Sequence, residues 1–324
     1  MGGALQGADF KSFSMTAAQL RSTMAAMNNK ALTGMAMVLL AAMLWGTTGT
    51  AQTLAPAGLP AHWVGALRLL FSAAFFLVFA LLAGKGAAFR PQFAEVPWRW
   101  VGVAGLTMAA YNLSFFAGVK ASSVAVGTAI ALGSGPIWAG LLQMAVYRRT
   151  PPAVWWAGTL LAVAGGSWMV LGSAQQLQIS VEGVGLCLVA GLSYAAYTLI
   201  SQRMVSRTPA PIVTLCIFSC AALIALPLAR SASAWPATSW QGWGLMVYLG
   251  VVATGVAYLL FTQALRRVSG TTAVAMCLAE PLTAFALAVL VIGERPPWAA
   301  YAGLLLVLAG LAIVVRAELR SVPG

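Results

Sequence analysis

Ten apolar runs of about twenty residues each divide the chain, and short segments with proline, glycine or basic residues separate them. An α-helix of that length crosses the hydrocarbon core of a bilayer, where every backbone polar group must be paired within a helix or a closed barrel. Only 7% of the residues are charged, too few to cover a water-soluble domain. The sequence therefore predicts an all-α integral membrane protein with ten transmembrane helices. The predicted spans are 34–55, 61–83, 98–119, 123–146, 152–173, 183–202, 210–229, 239–264, 270–292 and 297–315.

Most of the 18 lysine and arginine residues fall on the side of the membrane that also holds the two chain ends. The opposite side has Lys120, Arg230 and Arg295. Because cytoplasmic loops carry the excess of Lys and Arg, both termini are expected in the cytoplasm. Residues 1–30 contain no apolar run and are expected to form a cytoplasmic tail rather than a signal peptide, and residues 317–324 form the second tail.

The second half of the chain repeats the first at an almost constant offset. Residues 31–175 and 180–316 are expected to form one five-helix repeat each. An odd number of spans inserts the second repeat upside down, as in many secondary transporters, whose substrate site lies near the bilayer midplane between the repeats. The sequence thus predicts two inverted five-helix repeats around a central cavity, with kinks at Pro136 and Pro281, since proline removes a helix hydrogen bond. The matched residues are Pro136 with Pro281, Pro151-Pro152 with Pro296-Pro297, Gly158 with Gly303, and Gly165 with Gly310.

Four helix faces mix aromatic side chains with hydrogen-bonding ones, and they recur in both halves. Residues three, four or seven positions apart share one face of a helix, so four such faces that meet between the repeats would line the cavity. The alternative is structural, because Ser and Thr often bond to their own helix, and Tyr and Trp gather at membrane interfaces. The candidate cavity-lining residues are Trp45, Thr48 and Gln52 in the first span, Thr107 and Tyr111 in the third, Tyr194, Tyr197 and Ser201 in the sixth, and Thr254 and Tyr258 in the eighth.

Apart from Arg99 at the start of the third span, two charged residues lie within the predicted spans. Glu280 stands well inside the ninth span beside Pro281, where an intramembrane carboxyl suggests a functional site that titrates or binds an ammonium group. A neutral acid that only holds the kink is the alternative, and the repeat partner, Gly135, gives no support for a symmetric role. Arg68 in the second span could bind a carboxylate or extend its charge to the membrane interface.

The chain offers little for covalent or metal chemistry. It has one histidine and four cysteines, with no CxxC pair and no Cys/His cluster of metal-ligand spacing. It also lacks the GxxxxGK(S/T) phosphate-binding loop of nucleotide-driven proteins. We therefore expect no metal, no cofactor and no enzymatic activity. The net charge of +12 comes largely from loops between spans, so it indicates membrane sidedness and not nucleic acid.

Three local patterns resemble the EamA family of the drug/metabolite transporter superfamily, and the resemblance extends over residues 34–316. They are Leu44-Trp45-Gly46, Arg68-Leu69-Leu70, and Ala279-Glu280-Pro281 followed by Gly293-Glu294-Arg295. The resemblance implies a basket of helices around a central cavity that exports small metabolites, amino acids prominent among them, across the bacterial inner membrane. The first half departs from the pattern, with Tyr147-Arg148-Arg149 where the second has Ile292-Gly293-Glu294.

Within that family, the aromatic stripes are similar to those of bacterial exporters of aromatic and other neutral amino acids. We expect a secondary transporter that exports such amino acids or similar small metabolites by alternating access, with flow driven by the substrate gradient. The alternative is a proton-coupled drug/metabolite antiporter that uses Glu280. The expected partners are a small-molecule substrate and the lipid bilayer. A further copy of the chain, in a homo-oligomer, is a possible partner.

Overall fold

Ten long helices account for most of the described residues in a computed structural model of the protein. The structure describes residues 17–53, 60–83, 93, 96–122, 124–172, 179–232, 234–236, 238–293 and 295–321. Each of the ten helices contains a segment long and apolar enough to cross a membrane, and no strand occurs in these ranges. The all-α ten-span fold is thus confirmed, and the protein is a multi-pass membrane protein. The helices are α1 Ala17–Thr53, α2 Ala61–Ala83, α3 Trp98–Ala121, α4 Val124–Tyr147, α5 Ala153–Gly172, α6 Val181–Val205, α7 Ala210–Ala232, α8 Trp240–Ala264, α9 Gly270–Ile292 and α10 Trp298–Ser321.

The two terminal helices are longer than the apolar runs that predict them. α1 begins at Ala17 although its apolar run begins near residue 34, because residues 17–30 are rich in Ala, Met, Gln and Arg, which are strong helix formers. α10 likewise continues to Ser321, past the predicted end at residue 315. Hydropathy marks the part of a helix that can lie in lipid, whereas helix propensity carries both helices beyond it.

Two helices of the second repeat are irregular where they cross the middle of the bundle. α8 contains a π-helical segment, Tyr248–Val256, and α9 contains a 3₁₀ turn, Cys277–Ala279, directly before Glu280 and Pro281. Pro281 has no N–H and its ring clashes with the carbonyl four residues earlier, so the chain tightens ahead of it. By contrast, α4 continues as an α-helix through Pro136.

The contacts between helices are related by an exchange of the two repeats. α1 packs against α8 and α9, and α6 correspondingly packs against α3 and α4. α2 contacts α7 and α8, while α7 contacts α2 and α3. α5 and α10 pack against each other. This pattern is the pseudo-two-fold symmetry of two inverted five-helix repeats.

Glycines that match between the repeats form the contact between α5 and α10. A Cβ atom on Gly158 would lie 2.9 Å from the carbonyl oxygen of Gly310, and a Cβ on Gly303 would lie 2.6 Å from that of Gly165. The two backbones therefore touch directly, as small residues permit in membrane helices.

Candidate functional site

A cavity of about 660 Å³ lies between the two repeats. Its wall is built from α1 to α5 together with α8 and α9. It includes Val119, Val170 and Ala288, which stand near the ends of their helices that lie away from the chain termini. The cavity therefore reaches the face of the bundle opposite the termini. We call that face the distal face, and the other the terminal face.

A layer of aromatic rings forms the floor of the cavity and separates it from the terminal face. Trp45 and Tyr258 line the cavity with ring centroids 4.9 Å apart, and Phe261 packs behind Trp45 at 5.5 Å. Tyr111 also lines the cavity and lies 5.3 Å from the ring of Tyr194, one step farther from the distal face. Aromatic rings at these separations attract one another beyond their burial of area. The packed rings close the path toward the terminal face.

Glu280 reaches the cavity from the irregular part of α9. α1 and α9 are in close backbone contact at this point. A Cβ on Gly46 would lie 2.6 Å from the carbonyl oxygen of Glu280 and 2.7 Å from Thr283 Cβ. The Trp45-Gly46 pair of the first span and the Glu280-Pro281 pair of the ninth thus meet in space. Because Gly46 has no side chain, the α9 backbone that carries Glu280 and Pro281 can approach α1 closely.

Arg68 lines the same cavity as Glu280, on the wall formed by α2, α3 and α8. Its Nε donates a hydrogen bond of 3.1 Å to Thr254 Oγ1, and its guanidinium carbon lies 5.9 Å from the ring centroid of Phe116. Thr254 in turn donates to the carbonyl of Leu249 at 2.6 Å, inside the π-helical segment of α8. The irregular turn of α8 therefore orients the threonine that holds the arginine. Among the described residues, the cavity wall carries one cation and one carboxyl.

Apolar side chains that the sequence patterns missed cover much of the remaining wall. Phe115 and Phe116 lie about one turn beyond Tyr111 on α3, and Phe285 lies a similar distance beyond Glu280 on α9. Leu132 and Met169 add the α4 and α5 sides. Helical spacing from Tyr111 to Phe115 and from Glu280 to Phe285 was the available signal, but apolar residues are too common in these spans to stand out.

The structure brings together some of the predicted stripe residues and separates others. Trp45, Thr48, Tyr111 and Tyr258 line the cavity, as do Arg68, Glu280 and Pro281. Tyr194 lies behind the aromatic floor. The side chain of Gln52 lies outside the described residues.

The other predicted lining residues have structural contacts away from the cavity. Thr107 donates to the carbonyl of Ala104 on its own helix, and Thr254 supports Arg68 from behind. Tyr197 is completely buried, with its hydroxyl 3.5 Å from that of Thr262. Ser201 is also completely buried. Tyr197 and Ser201 do not line the cavity because they lie on the terminal side of the aromatic floor.

The chemistry that the described site offers is non-covalent. It presents a guanidinium, a carboxyl, hydroxyl groups and aromatic faces to whatever enters from the distal face. Within the described ranges, His, Cys, Asp and Glu side chains form no group of three that could hold a metal ion.

Comparison with known proteins decides the family. The model of the EamA-like transporter family matches residues 32–171 and again residues 181–316, one match for each half of the chain. The chain belongs to the EamA-like transporter family. Family membership and the names of its relatives indicate a transporter of small molecules in a bilayer rather than an enzyme.

Relatives cover nearly the whole EamA-like chain. It is 38% identical over 285 residues to the uncharacterized transporter YwfM of Bacillus subtilis, covering 88% of this chain and 94% of the relative. It is 24% identical to the uncharacterized inner membrane transporter YicL of Salmonella typhimurium over 291 residues, covering 87% of this chain and 94% of the relative. One solved crystal structure superposes with a TM-score of 0.73 at 20% identity, covering 90% of this chain and 99% of the other, which supports the fold.

Proposed function

We propose that this EamA-like transporter exports amino acids, aromatic and other neutral ones above all, or similar small metabolites. The substrate moves down its own gradient as the cavity alternates between the two faces. The family and a relative named as an inner membrane transporter support a bacterial inner membrane as the location. The excess of basic residues in the loops of the terminal face supports a cytoplasmic position for both chain ends, and in that orientation the cavity opens outward.

The observation that carries the proposal is that Arg68 and Glu280 both line one cavity whose remaining wall is largely apolar and aromatic. Ligand pockets of about 300–1,000 Å³ hold small molecules, and a volume of about 660 Å³ suits an amino acid with a large side chain. A zwitterion brings one carboxylate and one ammonium, which match one guanidinium and one carboxyl. Phe115 and Phe285 offer surfaces for a flat or apolar side chain.

Arg68 is well placed to bind the carboxylate end. Its Nε is used by Thr254, which leaves the N–H groups of its two terminal nitrogens for a carboxylate. Paired N–H donors on a planar guanidinium bind the two oxygens of a carboxylate together. Glu280 would then meet the ammonium end on the α9 side.

The experiment compares three ligands that share a phenyl ring in proteoliposome counterflow. Phenylalanine has both charges, phenethylamine lacks the carboxylate, and 3-phenylpropionate lacks the amine. Arg68→Gln should reduce the counterflow of phenylalanine and of 3-phenylpropionate but leave that of phenethylamine unchanged. Arg68→Lys should keep part of the preference for ligands with a carboxylate. Equal loss for all three ligands in Arg68→Gln would mean that Arg68 has only a structural role.

A second candidate, proton-coupled antiport of drugs or metabolites, is favoured by the position of Glu280 in the cavity wall. A cationic substrate and a proton would compete for that carboxyl. Under antiport, an imposed pH gradient should drive uptake in the wild type, and Glu280→Gln should abolish this effect while counterflow continues. Under facilitated export, the pH gradient has no driving effect in either protein.

A further inference from the structure

A second, smaller space lies directly behind the cavity floor. We call it the inner chamber; its volume is about 30 Å³. Five residues border both the cavity and the inner chamber, and Glu280 is one of them. The inner chamber is lined by Trp45, Tyr111, Ala131, Leu132, Gly135, Tyr194, Tyr258, Val274, Cys277 and Glu280.

The lining of the inner chamber is polar for a space inside a membrane protein. Three tyrosines, a thiol and the carboxyl of Glu280 contribute to it, and the Tyr194 hydroxyl lies 3.3 Å from Cys277 Sγ. The indole nitrogen of Trp45 is buried and has no hydrogen-bond partner among the described residues. That nitrogen has almost no accessible surface, so the polar groups available to the inner chamber are those of the tyrosines, the thiol and the carboxyl.

Gly135 keeps the inner chamber open. It is the repeat partner of Glu280, and a Cβ atom built on it would lie 3.6 Å from Val274 Cγ1 and 3.9 Å from Tyr194 Cδ1. Those are ordinary van der Waals contacts, so an alanine fits the fold but takes up part of the space. The first repeat thus has a glycine where the second has Glu280, and this difference leaves an open volume on the terminal side of Glu280.

We propose that the inner chamber is a water site that hydrates Glu280 from the side opposite the cavity. A space of about 10–15 Å³ holds one water molecule, so the inner chamber holds one or two. Such water bonds with the Glu280 carboxyl and the hydroxyl of Tyr194. The inner chamber is too small for the transported substrate, although it shares Glu280 with the cavity.

Hydration on both sides lets the Glu280 carboxyl form hydrogen bonds with water in either space. The charged and titratable groups that face Glu280 across the two spaces are Arg68 on α2, Tyr111 on α3, Tyr194 on α6, Tyr258 on α8 and Cys277 on α9; α1 and α4 present Trp45 and Gly135.

Hydroxyl-radical footprinting of the full chain in lipid nanodiscs tests the water site. Radicals formed from bound water label neighbouring side chains, so Tyr194 and Cys277 should be labelled well above Tyr197 and Cys187, which are completely buried. Gly135→Ala should reduce the labelling of Tyr194 and Cys277 severalfold. Gly102→Ala, at a glycine with open space around it, is the matched control and should change nothing.

The carboxyl itself gives a second readout. At a pH low enough to protonate Glu280, its infrared C=O band is identified by its loss in Glu280→Gln, and it should move to higher wavenumber in Gly135→Ala as a hydrogen bond is lost. If Gly135→Ala does not fold, Val274→Ile adds its methyl group to the same space. Labelling of Tyr194 and Cys277 no stronger than that of Tyr197 and Cys187, or no response to filling of the inner chamber, would overturn the proposal. Neither readout uses a substrate, so its failure is distinct from failure of the export function.

Discussion

Arg68 depends on a single side-chain hydrogen bond for its position in the cavity wall. Thr254→Val keeps the shape of the threonine but removes the acceptor of the 3.1 Å bond from Arg68 Nε. The arginine must then be ordered when substrate binds, at about 0.5–1.5 kcal/mol for a side chain of this kind. We expect the Kd for a carboxylate-bearing substrate to rise about two- to twelvefold in a binding assay.

Thr107 is the control for that change. It is the repeat partner of Thr254, and its hydroxyl donates to the carbonyl of Ala104 on its own helix. Thr107→Val should therefore leave the Kd close to the wild-type value. An equal loss of affinity in both variants would show that the effect comes from the helices and not from Arg68.

Two tyrosines of the predicted stripes should respond differently to removal. Tyr111 lines the cavity, so Tyr111→Ala should reduce counterflow of phenylalanine more than that of a small neutral amino acid, with normal protein levels. Tyr197 is completely buried, so Tyr197→Ala should instead lower the Tm, because an aromatic-to-alanine change in a core costs about 3–5 kcal/mol. A loss of phenylalanine selectivity in Tyr197→Ala at an unchanged Tm would contradict these positions.

At the scale of the helices, Gly46 controls how closely α1 approaches the kink of α9. In Gly46→Ala the new methyl group would meet the Glu280 carbonyl at 2.6 Å, so the two helices must separate. Overpacking of this kind costs about 1–3 kcal/mol. We expect a lower Tm and weaker transport, because Glu280 moves with its backbone.

Gly49, one turn later on α1, provides the comparison. Nothing lies within 4 Å of a Cβ atom built there, so Gly49→Ala should keep the wild-type Tm. A Tm in Gly46→Ala equal to that of Gly49→Ala would show that α1 can move without loss, and that the contact does not position Glu280.

Helices were the part of this fold that the sequence predicts best, since each apolar run signals its own span. The bounds of α2 and α9 agree with the predicted 61–83 and 270–292. The end of α9 also follows from the sequence, because Gly293 takes the left-handed conformation, with φ of 78°, that ends a helix. The π-helical segment of α8 was not predicted; within it the Thr254 hydroxyl donates to the Leu249 carbonyl five residues earlier.

At the scale of the whole molecule, inverted symmetry explains which predicted residues lie away from the cavity. The pseudo-two-fold axis exchanges the distal and terminal faces, so a residue that lines the cavity away from the axis has its partner on the closed side. Tyr111 and its partner Tyr258, close to the axis, both line the cavity. Thr48 lines the cavity, and its partner Tyr197 is completely buried. Helical spacing identifies both stripes equally, but it carries no information about which face is open in a given conformation.

The last prediction concerns the exchange of faces. If the two repeats swap roles during transport, residues on the second-repeat stripe become exposed to the terminal face when the cavity closes. We expect Thr48→Cys to react with a membrane-impermeant maleimide from the distal face, and Ser201→Cys to react from the terminal face, each in a chain without its four native cysteines. Ser201 is completely buried here, so its labelling requires another conformation. Right-side-out and inside-out vesicles separate the two faces, and an inward substrate gradient should change the two labelling rates in opposite directions. Reaction of both cysteines from one face only would exclude alternating exposure through this axis.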